Sequence, residues 1–333
     1  MATENQSPKS ATRWIAIALF VVAAAFMATY LLRSGKPAED VVVRVGYTPL
    51  MYAQPTFVAI EQGLFDKAGV KYQLTKFENS TQIVNALLGG QLDFCAISPV
   101  LSAFAAQEKS GSQQPLFKLY YYNLDSQEHP ISYLLVRKDS DITSLEQLRG
   151  KTIGVFPGNI LSRISAKLLL KPYFDSEKEL VFQDVAPQLQ AQTLESKQID
   201  AMFSLEPYAT LSLELGQSRI LHVAPQLSVY APLAGGAGFM SNEFVERHPD
   251  VAQRFGQAIR EATRHIRQDP AAAKAILSKY TPLTPELAGK VRQPEYHFYE
   301  EMTGKLLAGE YEALVAEGVF KGGIDVSALI YQE

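Results

Sequence analysis

The stretch "GGQLDFCAISP" at residues 89–99 holds the plan of the fold. A Gly-Gly turn ends a helical apolar pattern, an aspartate follows, and the apolar run "FCAIS" stops at a proline. A short uninterrupted apolar run between turn residues reads as a strand buried on both faces. The arrangement returns in "SKQIDAMFSLEP" at 196–207, where Asp200 lies 107 positions after Asp93. Outward from these segments, Gly154 of "KTIGVF" follows Gly46 of "RVGY" by 108 positions, and Leu180 of "ELVFQDV" follows Tyr72 of "YQLTKF" by 108. Near-constant spacing of three segments predicts two similar α/β halves.

Each half alternates strands with short helices. In the first, the strand "VVVRVGY" leads to a helix "TFVAIEQGLFDKAG", a strand "KYQLTKF", a helix "TQIVNALLGG" and the strand "LDFCAIS". This order predicts two parallel-type sheets flanked by helices. "PISYLLVRKDSD" (130–141) and "LAGGAGFMSNEF" (233–244) are strand-like and read as crossovers between the halves. The expected boundaries are 41–138 with 234–333 for lobe 1, and 139–233 for lobe 2. The run Gly235-Gly236-Ala237-Gly238 has no strand-turn-helix frame, so it reads as a turn or a close backbone approach and not as a phosphate cradle. From Asn242 the chain reads helical, with Pro270 and Pro285 in first turns capped by Asp269 and Thr284.

At 333 residues with 47% apolar and 20% charged residues, the chain supports a sizeable core. A net charge of −4 and the lack of a basic stripe argue against nucleic acid. One cysteine, Cys95, leaves no internal disulfide, and the five histidines have no metal-ligand spacing, so no metal or cofactor is expected. The segment "WIAIALFVVAAAFMATYLL" (14–32) has no charged residue and is long enough to span a bilayer. It divides the N-terminus into a cytoplasmic tail at 1–13, a transmembrane anchor or signal segment, and a linker at 33–40. An uncleaved anchor and a removed signal peptide, for which Ala23 and Ala25 supply small residues, both stand; each puts the domain on the periplasmic side.

In open parallel sheets ligands bind beyond the carboxyl ends of strands, near helix N-termini. That rule selects five loops: 47–56, 77–82, 97–100, 156–161 and 204–208. They supply Gln54, Asn79, Ser80, Thr81, Ser98, Pro99, Gly158, Asn159 and Glu206 as candidate polar or backbone contacts. Tyr47, Tyr52, Tyr122, Phe156 and Tyr208 are candidates for enclosing a flat ligand. Helix capping remains the competing reading for Ser80 and Thr81, and core packing for each aromatic. Asp93 and Asp200 sit at the amino ends of their strands and read as turn residues.

The blocks "VGYTPLMYAQPTFVAIEQGLFDKAGVKYQL", "ALLGGQLDFCAISP", "SLEQLRGKTIGVFPGN", "LESKQIDAMFSLEPYAT" and "GFMSNEFVERHPDVAQRF" occur in an order that resembles a known family. These are the periplasmic substrate-binding proteins of ABC importers for nitrate, sulfonates, taurine and thiamine-precursor pyrimidines. The resemblance covers Val41 to Tyr299 and implies a bilobed type II periplasmic-binding-protein fold that closes on a small ligand without catalysis. It implies an ABC permease and ATPase as partners; the chain is expected to be a monomer, tethered to the membrane through the N-terminal helix. It also supports Tyr47, Ser80, Thr81, Ser98, Gly158, Asn159 and Glu206 as ligand contacts. The retained apolar span and the long first turn "TPLMYAQP" depart from the family pattern. The alternatives are a membrane-tethered sensing module, and an enzyme of lyase or pyrimidine-synthase type on the same fold.

Overall fold

The computed structural model describes residues 41–158, 160–174, 176 and 179–333. The apolar segment 14–32, its flanks at 1–13 and 33–40, and Asn159 therefore lie outside the described residues. Among the described residues no helix is long and apolar enough to cross a membrane.

The first sheet contains β1 (Val42–Tyr47), β2 (Lys71–Lys76), β3 (Phe94–Pro99), β4 (Phe117–Asp125), β10 (Leu233–Ser241) and β11 (Glu295–Phe298). Its order is β11-β4-β10-β3-β1-β2. The second contains β5 (Ser132–Arg137), β6 (Thr152–Val155), β7 (Val181–Asp184), β8 (Ala201–Leu205) and β9 (Ser218–Val223), in the order β7-β6-β8-β5-β9.

The duplicated plan holds at the level of register. Gly46 pairs with Thr75 and Gly154 with Gln183, while Gly46 pairs with Cys95 and Gly154 with Met202. Both glycines are small for the same reason. A Cβ at Gly46 would overlap Leu92, and one at Gly154 would lie 2.6 Å from Ile199, the residue in the matching place. The aspartates next to these side chains tie the strands together. Asp93 accepts from Arg44 N at 2.8 Å and Nε at 2.9 Å and pairs with the guanidinium, whereas Asp200 accepts from Thr152 N at 2.9 Å. Asp93→Ala is expected to cost about 2 kcal/mol, since it removes several charge-assisted bonds and leaves a strand N–H unpaired. The measurement is the urea midpoint, which should fall more for Asp93→Ala than for Asp200→Ala.

The sheets are mixed, which corrects the expectation of parallel-type sheets. β1, β2 and β3 run parallel, as do β6, β7 and β8. β10 is antiparallel to β3 and β4, β11 to β4, and β5 to β8 and β9. The cause is the route of the chain. β4 ends at the same edge as β3, crosses through 126–131 and enters the second sheet at that sheet's matching edge. β5 must then run away from the edge at which its neighbour β8 ends. The return from β9 through 224–232 reverses β10 in the same way. Ser132–Arg137 pairs wholly within the second sheet.

Two expected helices are each divided. Gly63, at φ +61°, separates Gln54–Glu61 from Leu64–Lys67, and Pro249 restarts the helix after Asn242–Arg247. The helix Pro249–Gln268 buries Phe255 against Phe65 and Phe94, with ring centroids 4.6 and 4.5 Å apart. Asp269 and Thr284 cap the following helices through Ala272 N and Leu287 N. The second sheet packs Tyr133, Leu135, Leu194, Ile199 and Met202 into its own cluster. The glycine run lies within β10 as a close approach: a Cβ at Gly236 would stand 2.6 Å from Ile97 Cδ1 and 2.8 Å from Asn123 Oδ1. Burial pushes the Cys95 thiol up to about 12, so it packs as a small apolar side chain.

Candidate ligand cleft

The strand ends of the two sheets enclose a cavity of about 90 Å³. From the first sheet come Thr48, Pro49 and Leu50 after β1, and Glu78, Asn79 and Ser80 after β2. From the second come Phe156 and Pro157 after β6, Ala186, Pro187 and Gln188 after β7, and Tyr208 after β8. The walls are mainly apolar, and among the described lining residues Glu78 is the one formal charge.

Local chemistry positions these groups. Asn79 precedes the helix Ser80–Leu88 in extended conformation and accepts from Gln82 N at 3.0 Å, while Gln82 Oε1 accepts from Glu78 N at 3.2 Å. This reciprocal capping holds the loop 77–82 at the cavity wall. Pro187 opens the helix Pro187–Glu195 at a position where no N–H is needed. Tyr208 opens Tyr208–Glu214, and its phenol is pushed up to about 12, first by burial and then by the Glu78 carboxylate across the cleft.

The two sides touch beside the cavity. Gly158 takes φ +67°, and a Cβ there would overlap the Thr81 hydroxyl and stand 3.1 Å from Thr81 Cβ. Behind the cavity, the buried Tyr52 hydroxyl donates to Ile131 O at 2.8 Å and accepts from Glu206 N at 3.2 Å. One phenol thus links the first loop, the first crossover and the end of β8. Asp125 accepts from Ile131 N at 3.1 Å and from Ser132 Oγ at 2.6 Å, and Ser132 Oγ accepts from Gln226 N at 3.3 Å. The two crossovers are therefore joined to each other as well.

Of the residues selected from sequence, Asn79, Ser80, Phe156 and Tyr208 line the cavity, and Thr81 and Gly158 meet where the two sides touch. Tyr47 instead packs edge-on against Phe57 and Tyr280, at 5.3 and 6.0 Å between centroids. Gln54 accepts from Gln293 Nε2 at 2.6 Å and is fully buried. Ser98 and Pro99 pair with Ala237 and Gly236, so β10 covers that strand end. Tyr122 lies between β10 and β11, with its ring stacked on His297 at 5.4 Å. Glu206, selected as the carboxylate nearest a ligand, is 1% exposed and turns back to Thr210, accepting from its N at 3.2 Å and its hydroxyl at 3.0 Å. Burial pushes it up to about 7, against the lowering effect of those bonds.

Sequence reasoning passed over Thr48, Pro49, Leu50, Glu78, Pro157, Ala186, Pro187 and Gln188. All but three of these lie in selected loops. The others form the loop after β7, and a signal for it was present: "ELVFQDV" read as a strand, and Pro187 after it marks a helix start.

Two mixed sheets that meet around a cleft at their strand ends define the α/β architecture of the periplasmic-binding-protein class. Solved structures of that class match: the ligand-binding component of an ABC-type import system from Staphylococcus aureus has a TM-score of 0.72 at 15% identity, covering 87% of this chain and 96% of that one. The alkanesulfonate-binding protein SsuA from Xanthomonas axonopodis pv. citri, bound to MOPS, has a TM-score of 0.71 at 16% identity, covering 87% and 98%. The model of the NMT1-like family matches residues 36–279, and the chain belongs to that family. A curated relative, the 4-amino-5-hydroxymethyl-2-methylpyrimidine phosphate synthase THI5 of Saccharomyces cerevisiae, is 22% identical over 269 residues, 78% of this chain and 75% of its own length.

Proposed function

We propose that this protein captures a small organic solute on the periplasmic side of the membrane, by closure of two lobes, and delivers it to an ABC permease and ATPase. The first lobe comprises 41–125 with 233–333, and the second 132–223, with 126–131 and 224–232 as the hinge. The observation that carries the reading is the cavity walled by loops from both sheets, with Gly158 seated against Thr81 beside it. Closure of this kind is favoured by a ligand only through contacts made in the closed state. The import-system component from S. aureus and the alkanesulfonate-binding relative in fold support capture for transport. The apolar segment 14–32 supports export and a membrane tether. Small-angle scattering of the full chain tests the reading: a ligand found by thermal shift among sulfonates, nitrate, pyrimidines and flavins should reduce the radius of gyration. An unchanged profile at saturating ligand rejects closure.

One observation favours a second reading, an enzyme on this fold: the match to a pyrimidine phosphate synthase along three quarters of that protein. Conversion of a bound pyrimidine by the full chain, followed by mass spectrometry, would establish it.

A further inference from the structure

Resting on the capture reading of this cleft, the arrangement of charge and hydrogen-bond donors around the cavity narrows the class of ligand. An oxyanion at such a site is held by cationic side chains or by free N–H groups at helix N-termini. Among the described lining residues there is no lysine, arginine or histidine. Arg163, one turn into the helix Ile160–Leu170, is paired with Asp184 at 2.8 Å and stacked on Phe182, and Lys76 at the end of β2 does not line the cavity.

The helix starts are in part taken up by the protein's own groups. Gln82 N is taken by Asn79 Oδ1, and Ile83 N reaches Asn79 O. Pro187 has no N–H, and Leu189 N bonds to Ala186 O at 2.8 Å. At the third start, Thr210 N donates to the Glu206 carboxylate, which stands where a bound anion would have to stand. A second carboxylate, that of Glu78, lines the cavity itself and has no ion-pair partner among the described residues. One more polar group is unspent: Thr48 lines the cavity, is 3% exposed, and its hydroxyl has no hydrogen-bond partner. The remaining walls, Phe156, Tyr208, Leu50 and three prolines, suit the faces of a ring.

We propose that the cleft selects a small aromatic cation, its ring between the apolar walls and its protonated nitrogen against Glu78, and that it rejects oxyanions such as sulfonates and nitrate. Thr48 supplies the uncharged polar contact. The selectivity is electrostatic: a negative group brought into this cavity would lose its hydration without finding a positive partner.

The test is a calorimetric titration of the full chain with four probes of graded charge: benzylamine, benzyl alcohol, benzenesulfonate and nitrate. Benzylamine is expected to bind at least tenfold more tightly than benzenesulfonate, with nitrate silent. Glu78→Gln is expected to weaken benzylamine about tenfold while leaving benzyl alcohol unchanged, a pattern that a folding defect would not produce. Tighter binding of benzenesulfonate or nitrate overturns the proposal and leaves capture standing. Equal loss of benzylamine and benzyl alcohol in the variant overturns the role of Glu78. Silence of all four probes overturns the assignment of ligand class, whereas capture is judged separately by scattering with whichever ligand the wider screen finds.

Discussion

Gly158→Val is expected to weaken binding of any ligand that the cleft closes on by about 100-fold, beyond the modest loss of thermal midpoint that backbone strain at this position causes in the ligand-free protein. Gly158 lies at φ +67°, where an L side chain is strained, and its missing Cβ leaves the space that Thr81 fills. A valine puts three carbons into that contact. The clash exists only where the two sides meet, so the open protein avoids most of it and the closed complex bears it fully. A difference of about 2.7 kcal/mol between the states gives the 100-fold change. Calorimetry measures it, and a paired variant separates steric contact from backbone strain. Gly158→Ala with Thr81→Gly should recover most of the affinity lost by Gly158→Ala alone, because the atoms struck by the new Cβ are gone. Failure of this rescue would mean that strain at residue 158, not the contact across the cleft, governs affinity.

The second large effect is on stability as a function of pH. Three buried carboxyls gather where the chain passes between the sheets. Burial pushes Asp125 at the end of β4 up to about 7 and Glu206 at the end of β8 up to about 7. Glu310 on the helix Gly304–Ala316 is pushed up to about 8; one of its oxygens accepts from Ala234 N at 3.1 Å and the other has no partner. Below about pH 3 these groups are protonated in both the folded and the unfolded chain, and their burial has no charge penalty. As pH rises, the unfolded chain releases its protons first, so the folded state loses stability through pH 5–8 until the native groups ionise as well. For Glu310 alone the loss is on the order of 5 kcal/mol, or roughly 10 °C in midpoint. The melting temperature is therefore expected to fall between pH 5 and pH 9. Glu310→Gln should raise the midpoint at pH 9 and change it little at pH 5; an equal shift at both values would remove ionisation as the cause.

The two-sheet plan was legible because it rests on local constraints that recur. Gly46 and Gly154 must be small beneath Leu92 and Ile199, and Asp93 and Asp200 must accept from the neighbouring strand, so the spacing between them is visible in the chain. Strand direction was not legible for β5 and β10. Both are apolar enough to be buried, and composition does not record the edge at which a strand enters. The site suffered from the same non-local facts. Nothing near Ser98 or Tyr122 announces that β10, more than a hundred residues later, pairs over both. Glu206 had the right address, but its side chain folds back onto Thr210 four residues on. Asn79, Ser80, Phe156 and Tyr208 line the cavity where the rule of strand ends and helix starts, which is local, had placed them.

The reciprocal cap at Glu78–Gln82 and the proline start at Pro187 make the two banks of the cleft chemically unequal. One bank presents a carboxylate, an amide and two hydroxyls; the other presents mostly apolar surface with the Gln188 amide and a single phenol. A guest that is polar at one end therefore has one favoured way to lie, and turning it end for end would bury its charged head on the dry side. Under the capture reading, near-duplicate halves give a cleft with handedness, which would distinguish molecules that differ only in where a single substituent is attached.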